Sequence, residues 1–182
     1  TRYAKRCLYD YFKKERGEGF RAEKSVHFVG IGGVGMSALA RMFLKQGKHV
    51  TGSTNEQTLI SDEMEELGAK VSIGHDAHNI NSDVGLVIYT DAVDKNNVEV
   101  AAAWDKDLPV INFAKALGGV AQGERVVAVS GTHGKTSTTG MAGLALAAAG
   151  VDPTVVVGGR IKEWGGSNLR MGEGDWFVAE AD

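Results

Sequence analysis

The sequence predicts an α/β protein in two parts. A Rossmann-like parallel-sheet domain spans residues 25–121 and a partial P-loop α/β domain spans 122–182, after a basic helical extension at 1–24. Three observations lead there. Short apolar runs alternate with helical patterns, the rhythm of a doubly wound sheet that binds ligands at the carboxyl ends of its strands. Two of those runs feed into glycine-rich turns that open helices, at 30–35 and at 131–136. The last run ends in the carboxylates Glu180 and Asp182, which suits the metal-binding strand of a P-loop domain.

With 182 residues the chain allows one large domain or two small ones. No apolar run approaches the roughly 20 residues of a membrane span. A net charge of −3 leaves no overall nucleic-acid footprint. The lone cysteine, Cys7, excludes a disulfide framework and fits a reducing cytoplasm. Residues 1–24 hold eight Lys/Arg against four Asp/Glu, and the remainder twelve against nineteen. The chain starts at Thr1 and stops at Asp182 on an apolar strand, so a fragment of a longer protein is expected.

In the extension, Tyr3, Cys7, Leu8, Tyr9 and Phe12 share a helical face ringed by basic residues, and Gly17 and Gly19 end it. The pattern allows a docking or membrane-surface helix, a trimmed targeting remnant, or a plain solvated helix.

Residues 26–29 form the first strand. Behind it Gly30, Gly32 and Gly35 match the G-x-G-x-x-G fingerprint, whose glycines make a tight turn and seat a diphosphate on the N-terminus of the helix at 36–44. A strand over 49–53 follows. A nicotinamide-binding unit carries an acidic residue there for the ribose, whereas this chain has Ser53 and Thr54, with Glu56 slightly beyond. A nicotinamide cofactor is therefore weakly supported, and a different diphosphate ligand stays open. Next come a helix over 59–67 with Met64 and Leu67 on its apolar side, a strand over 70–73 and a loop at 74–76. A strand over 84–89, a helix over 97–104 and a strand over 108–113 continue the rhythm, and 114–123 is a short helix plus linker. His75 and Thr90-Asp91 fall at strand ends, so His75 is either a ligand contact or a polar loop residue.

The second part opens with 126–129, read as a buried strand, then Gly131, Thr132, His133 and Gly134, then a helix from Lys135-Thr136 to Gly150. Unpaired N–H groups and the helix dipole attract a phosphate there, the lysine reaches the β/γ-phosphates, and the Thr136 hydroxyl is placed for Mg²⁺. The usual P-loop has a glycine where this chain has Val129, so the loop is shorter. A strand over 154–157 leads into Gly158-Gly159-Arg160 and a polar loop containing Trp164, Ser167 and Asn168. The last strand, 175–182, puts Glu180 and Asp182 on one face, Glu180 being the candidate metal ligand. Three strands cannot cover both faces of such a sheet, so part of it must stay open or borrow a cover.

Together, Val-His-Phe-Val-Gly-Ile-Gly-Gly-Val-Gly-Met-Ser (26–37), Thr-Gly-Ser (51–53), Ser-Gly-Thr-His-Gly-Lys-Thr-Ser-Thr-Thr (130–139), Val-Val-Gly-Gly (156–159) and Val-Ala-Glu-Ala-Asp (178–182) resemble the Mur ligases of peptidoglycan synthesis. The resemblance covers about residues 25–182, and the short Gly-Thr-His-Gly-Lys-Thr loop is that family's own form. It implies an ATP- and Mg²⁺-dependent ligase that phosphorylates the carboxylate of UDP-N-acetylmuramate. L-alanine, or a whole tripeptide in the recycling branch, then attacks the acyl phosphate.

The resemblance further implies catalytic roles for Lys135, Thr136 and Glu180, with Mg²⁺ on Thr136 and Glu180. ATP would lie on Gly131, Thr132, His133, Gly134, Lys135, Thr136 and Ser137. The sugar nucleotide would lie on Gly30, Ile31, Gly32, Gly33, Val34 and Gly35, with Ser53, His75 and Asn168 nearby. Two departures stand out: Thr54 replaces the family's usual Asp, and a full ligase is over twice this length, so these residues alone are expected to be inactive. A truncated scaffold protein is the competing class. A nicotinamide-dependent oxidoreductase is disfavoured by Ser53-Thr54 and by the P-loop.

Overall fold

The computed structural model describes residues 23–94 and 96–181. The helix expected in the extension and the carboxylate of Asp182 lie outside the described residues. The chain divides into two compact units, Thr1–Gln122 and Gly123–Asp182.

In the first unit five parallel strands pair in the order β3-β2-β1-β4-β5. They are β1 (Ser25–Val29), β2 (His49–Thr54), β3 (Lys70–Ile73), β4 (Leu86–Tyr89) and β5 (Val110–Asn112). The order reverses between β1 and β4, where sheets of this kind open a crevice at their carboxyl ends. Alternation along β1 sends Val26 and Phe28 into one apolar cluster with residues of α1 (Val34–Lys45), α2 (Leu59–Glu66) and α4 (Phe113–Val120). Val29 joins the opposite cluster with Val100 and Ala103 of α3 (Val98–Asp105). On that second face β1 and β2 also carry a polar row, His27, Thr51 and Ser53, each buried. Such a row needs internal partners.

Two of the boundaries that differ from the sequence reading have a plain local cause or consequence. Phe113 opens α4 instead of ending a strand, because the Asn112 side chain accepts the Lys115 N–H and caps the helix. Leu67 follows the end of α2 and is 48% exposed, so Met64 alone of the expected pair is buried.

The second unit has four strands in the order β6-β9-β7-β8 beside one helix, α5 (Lys135–Ala148). The strands are β6 (Arg125–Val129), β7 (Thr154–Ile161), β8 (Ser167–Arg170) and β9 (Trp176–Glu180). The polar loop expected around Asn168 is in fact β8, which returns antiparallel to β7. The reason lies in β7, which runs on through Gly158 and Gly159 to Ile161, so that Gly165 and Gly166 can reverse the chain against it. Nor is β6 buried as its valines implied. It lies at the sheet edge, paired among the described residues with β9 alone, and Val126 is 51% exposed. The sequence implies three strands with an open face; four are present, and while β6 stays largely exposed, β7 and β9 each bury three successive residues, Val155 to Val157 and Phe177 to Ala179.

Candidate functional site

The second unit builds a candidate phosphate cradle from its loop upward. Gly134 caps α5 with φ 77°, a left-handed conformation that favours glycine and aims the following amides outward along the helix axis. The N–H groups of Thr132, His133, Gly134, Thr136 and Ser137 take no backbone partner among the described residues. Lys135 folds back so that its Nζ donates to the Gly131 carbonyl at 2.9 Å, which holds the ammonium over the loop. Residues 131–134 are exposed, so an anion has direct access.

Glu180 completes this arrangement from the neighbouring strand. It lies opposite Val129 in the β6–β9 register, so the P-loop strand and the carboxylate strand are adjacent in space though far apart in sequence. The Thr136 hydroxyl donates to Glu180 Oε2 at 3.3 Å, and the Gly158 N–H donates to Oε1 at 2.6 Å. A Cβ on Gly158 would stand 2.9 Å from both carboxylate oxygens, and one on Gly159 would stand 2.9 Å from Thr136 Cγ2. The Gly-Gly pair is what lets β7 pass this close. One hydroxyl and one carboxylate suit a hard cation that keeps its remaining positions for phosphate oxygens and water, which is the habit of Mg²⁺. Among the described residues no group of three or more His, Cys, Asp or Glu offers an all-protein metal cage.

The glycine turn of the first unit is half committed internally. The amides of Gly30 and Ile31 both donate to the Ser53 carbonyl at 2.9 Å, and the Gly33 amide donates to the Gly30 carbonyl at 3.1 Å. The Ile31 side chain is fully buried in the core. The N–H groups of Gly32 and Gly35, at the start of α1, have no backbone partner among the described residues. Gly33 and Val34 are exposed beside them. Gly32 sits against β2, where an added Cβ would lie 2.8 Å from Thr54 Oγ1. Thr54 thus shapes the turn in place of the expected aspartate.

Ser53 and His75 do come together, though not as an open pocket wall. Ser53 is fully buried; its hydroxyl donates to Glu99 Oε2 at 2.5 Å and lies 2.9 Å from His75 Nδ1. His75 Nδ1 is also 3.0 Å from the same carboxylate oxygen, while Asn79 Nδ2 donates to Oε1 at 2.6 Å. His27 Nε2 is 3.7 Å from Oε1, and His27 Nδ1 meets Thr51 Oγ1 at 2.7 Å. Glu99, in the first turn of α3, is the residue that sequence reasoning missed. Its signal was faint: a carboxylate in the first helical turn after an Asn cap looks like an ordinary helix start. Asn168, by contrast, is buried in β8 rather than set on a loop.

Burial alone would raise the Glu99 pKa, but His27, Ser53 and Asn79 at its oxygens more than reverse this and hold it at about 2, against an ordinary 4.5. A depressed carboxylate pKa stabilises the fold fully above the unfolded value of 4.5 and loses that contribution as pH falls toward 2. The contribution is roughly 3 kcal/mol. Thermal unfolding from about pH 6 down to about pH 3 should therefore lose more stability in the wild type than in Glu99→Gln. Parallel profiles would mean that the carboxylate contributes nothing ionic.

The family model described as "Mur ligase family, catalytic domain" matches residues 25–125, more than half of the chain. The chain belongs to the Mur ligase family. It is 45% identical over 163 residues to the UDP-N-acetylmuramate–L-alanine ligase of Clostridium kluyveri, covering 89% of this chain and 35% of that protein. The chain thus spans about a third of the length of the curated Mur ligases it matches. Among solved structures, the UDP-N-acetylmuramate–alanine ligase of Thermotoga maritima aligns with TM-score 0.75 at 35% identity, over 86% of this chain and 37% of that one. The UDP-N-acetylmuramate:L-alanyl-γ-D-glutamyl-meso-diaminopimelate ligase of Neisseria meningitides aligns with TM-score 0.80 at 29% identity, over 87% and 52%. Two of the five segments that carry the Mur ligase resemblance, those with the glycine turn at 30–35 and the P-loop at 131–136, lie where a strand gives way to a helix.

Proposed function

We propose that this chain is the sugar-nucleotide-binding domain and the opening of the ATPase domain of a cytoplasmic, ATP-dependent ligase joining L-alanine to UDP-N-acetylmuramate in peptidoglycan synthesis. The observation that carries the reading is the Thr136–Glu180 pair held by Gly158 at the mouth of a P-loop. No nicotinamide fold needs that pair. In this reading the loop amides and Lys135 hold the β/γ-phosphates of ATP and stabilise charge on the phosphoryl group in transfer. Thr136 and Glu180 hold Mg²⁺, which when bound offsets phosphate charge. The Gly32 and Gly35 amides at the start of α1 hold the diphosphate of the sugar nucleotide. The muramyl carboxylate becomes an acyl phosphate, and the amine attacks it to release phosphate. With relatives about three times as long, these residues are expected to bind both nucleotides without turnover.

A second reading, a ligase that attaches a whole tripeptide to the same sugar nucleotide, draws support from the likeness to the Neisseria enzyme. The test uses the gene product that contains this chain, with UDP-N-acetylmuramate, ATP, Mg²⁺ and either L-alanine or the tripeptide. ADP and phosphate released only with L-alanine is the expected outcome. Release only with the tripeptide would transfer the reading to the recycling ligase. Tight binding with no release in either case would leave a scaffold protein.

A further inference from the structure

The Glu99 network fixes more than the fold. Ser53 Oγ gives its single proton to Glu99 Oε2 at 2.5 Å, so toward His75 Nδ1, 2.9 Å away, that hydroxyl can only accept. The other neighbour of Nδ1, Glu99 Oε2 at 3.0 Å, is an ionised carboxylate and also only accepts. Two acceptors facing one ring nitrogen place the proton on Nδ1. In the neutral ring Nε2 is then a bare lone pair. Both hydrogen-bond contacts of the ring among the described residues are at Nδ1, and the side chain is 15% exposed. Its place is the carboxyl end of β3, next to the end of β2 that holds the glycine turn through the Ser53 carbonyl.

We propose that Glu99 is a positioning residue of the sugar-nucleotide site: with Ser53 it keeps the proton of His75 on Nδ1, so that Nε2 meets the ligand as a hydrogen-bond acceptor. The matching ligand group is a donor, the imide N–H of a uracil or a ribose hydroxyl. A phosphate, which only accepts, is mismatched. The inference rests on the reading that the turn at 30–35 binds a uridine diphosphate.

Glu99→Gln separates this role from mere packing. Around Oε1 stand the Asp76 N–H at 3.5 Å, a fixed donor, Asn79 Nδ2 at 2.6 Å, whose NH₂ also donates to the Gly74 carbonyl at 3.4 Å, and His27 Nε2 at 3.7 Å. Around Oε2 stand a hydroxyl and an imidazole, which can each turn into acceptors. The glutamine NH₂ therefore settles on the Oε2 side and drives the His75 proton to Nε2, so that N–H opposes N–H at the ligand.

The experiment is ¹⁵N-histidine NMR of the 182-residue chain in alkaline buffer, where imidazoles are neutral, with calorimetric titration of UDP on the same samples. Expected are the Nδ1–H tautomer in the wild type, the Nε2–H tautomer in Glu99→Gln, and about tenfold weaker UDP binding in the variant. Nε2–H in the wild type overturns the proposal even if no variant folds. So does a folded Glu99→Gln that keeps the wild-type tautomer or the wild-type UDP affinity. A wild-type chain that shows Nδ1–H yet binds no UDP removes the underlying reading of the site, and the proposal with it.

Discussion

Gly32→Val is expected to weaken binding of UDP-N-acetylmuramate by about a hundredfold while ATP–Mg²⁺ binding stays at the wild-type level. The physical cause is local. A Cβ at this position would already stand 2.8 Å from Thr54 Oγ1 and 3.6 Å from Thr58 Oγ1, and valine adds two further methyl groups to that crowding. Thr54 is β-branched and buried at the end of β2, so it has little freedom to retreat. The turn must shift, and with it the amides at the start of α1. The P-loop belongs to the other compact unit and shares no described residue with this turn. Lys135→Ala is the reciprocal variant, expected to lose ATP and keep the sugar nucleotide. Calorimetric titration of both ligands on both variants checks the pair, and equal loss of both ligands from either folded variant would contradict two separate sites.

Glu180→Gln is expected to cost about a hundredfold in ATP affinity measured with Mg²⁺ and little in its absence. The carboxylate supplies the negative charge of the proposed cation site, and the Thr136 hydroxyl at 3.3 Å supplies only a neutral oxygen. Gly158→Val should reproduce the effect from a distance. Its Cβ would meet both Glu180 oxygens at 2.9 Å, and the carboxylate would have to leave the position fixed by the Gly158 N–H. Fluorescence titration of a labelled ATP with and without Mg²⁺ separates the two conditions. A Glu180→Gln chain that binds ATP–Mg²⁺ as the wild type does would remove Glu180 from the site.

The position of both glycine turns between a strand and a helix was legible because it rests on local grammar. A strand, glycines and a helix start are contiguous in sequence, so Gly32 and Lys135 could be assigned without tertiary knowledge. The parallel order of the first sheet followed from the same alternation. What was not legible depends on contacts between distant segments. Glu99 reaches Ser53, His75 and Asn79 only once α3 lies on the face where β1 and β2 turn polar. Nothing local says why Gly158 and Gly159 follow the strand over 154–157; they give clearance to Glu180 of β9 and Thr136 of α5. β8 was read as a loop because Ser167-Asn168-Leu169-Arg170 has little strand propensity, and pairing with β7 overrides that.

The central claim is that each unit carries its own anion cradle. Equilibrium titration of UDP-N-acetylmuramate into the chain saturated with ATP–Mg²⁺, and of ATP–Mg²⁺ into the chain saturated with UDP-N-acetylmuramate, tests it directly. Each ligand is expected to bind one site with unchanged affinity in the presence of the other. Mutual displacement, with total binding capped at one nucleotide per chain, would contradict it.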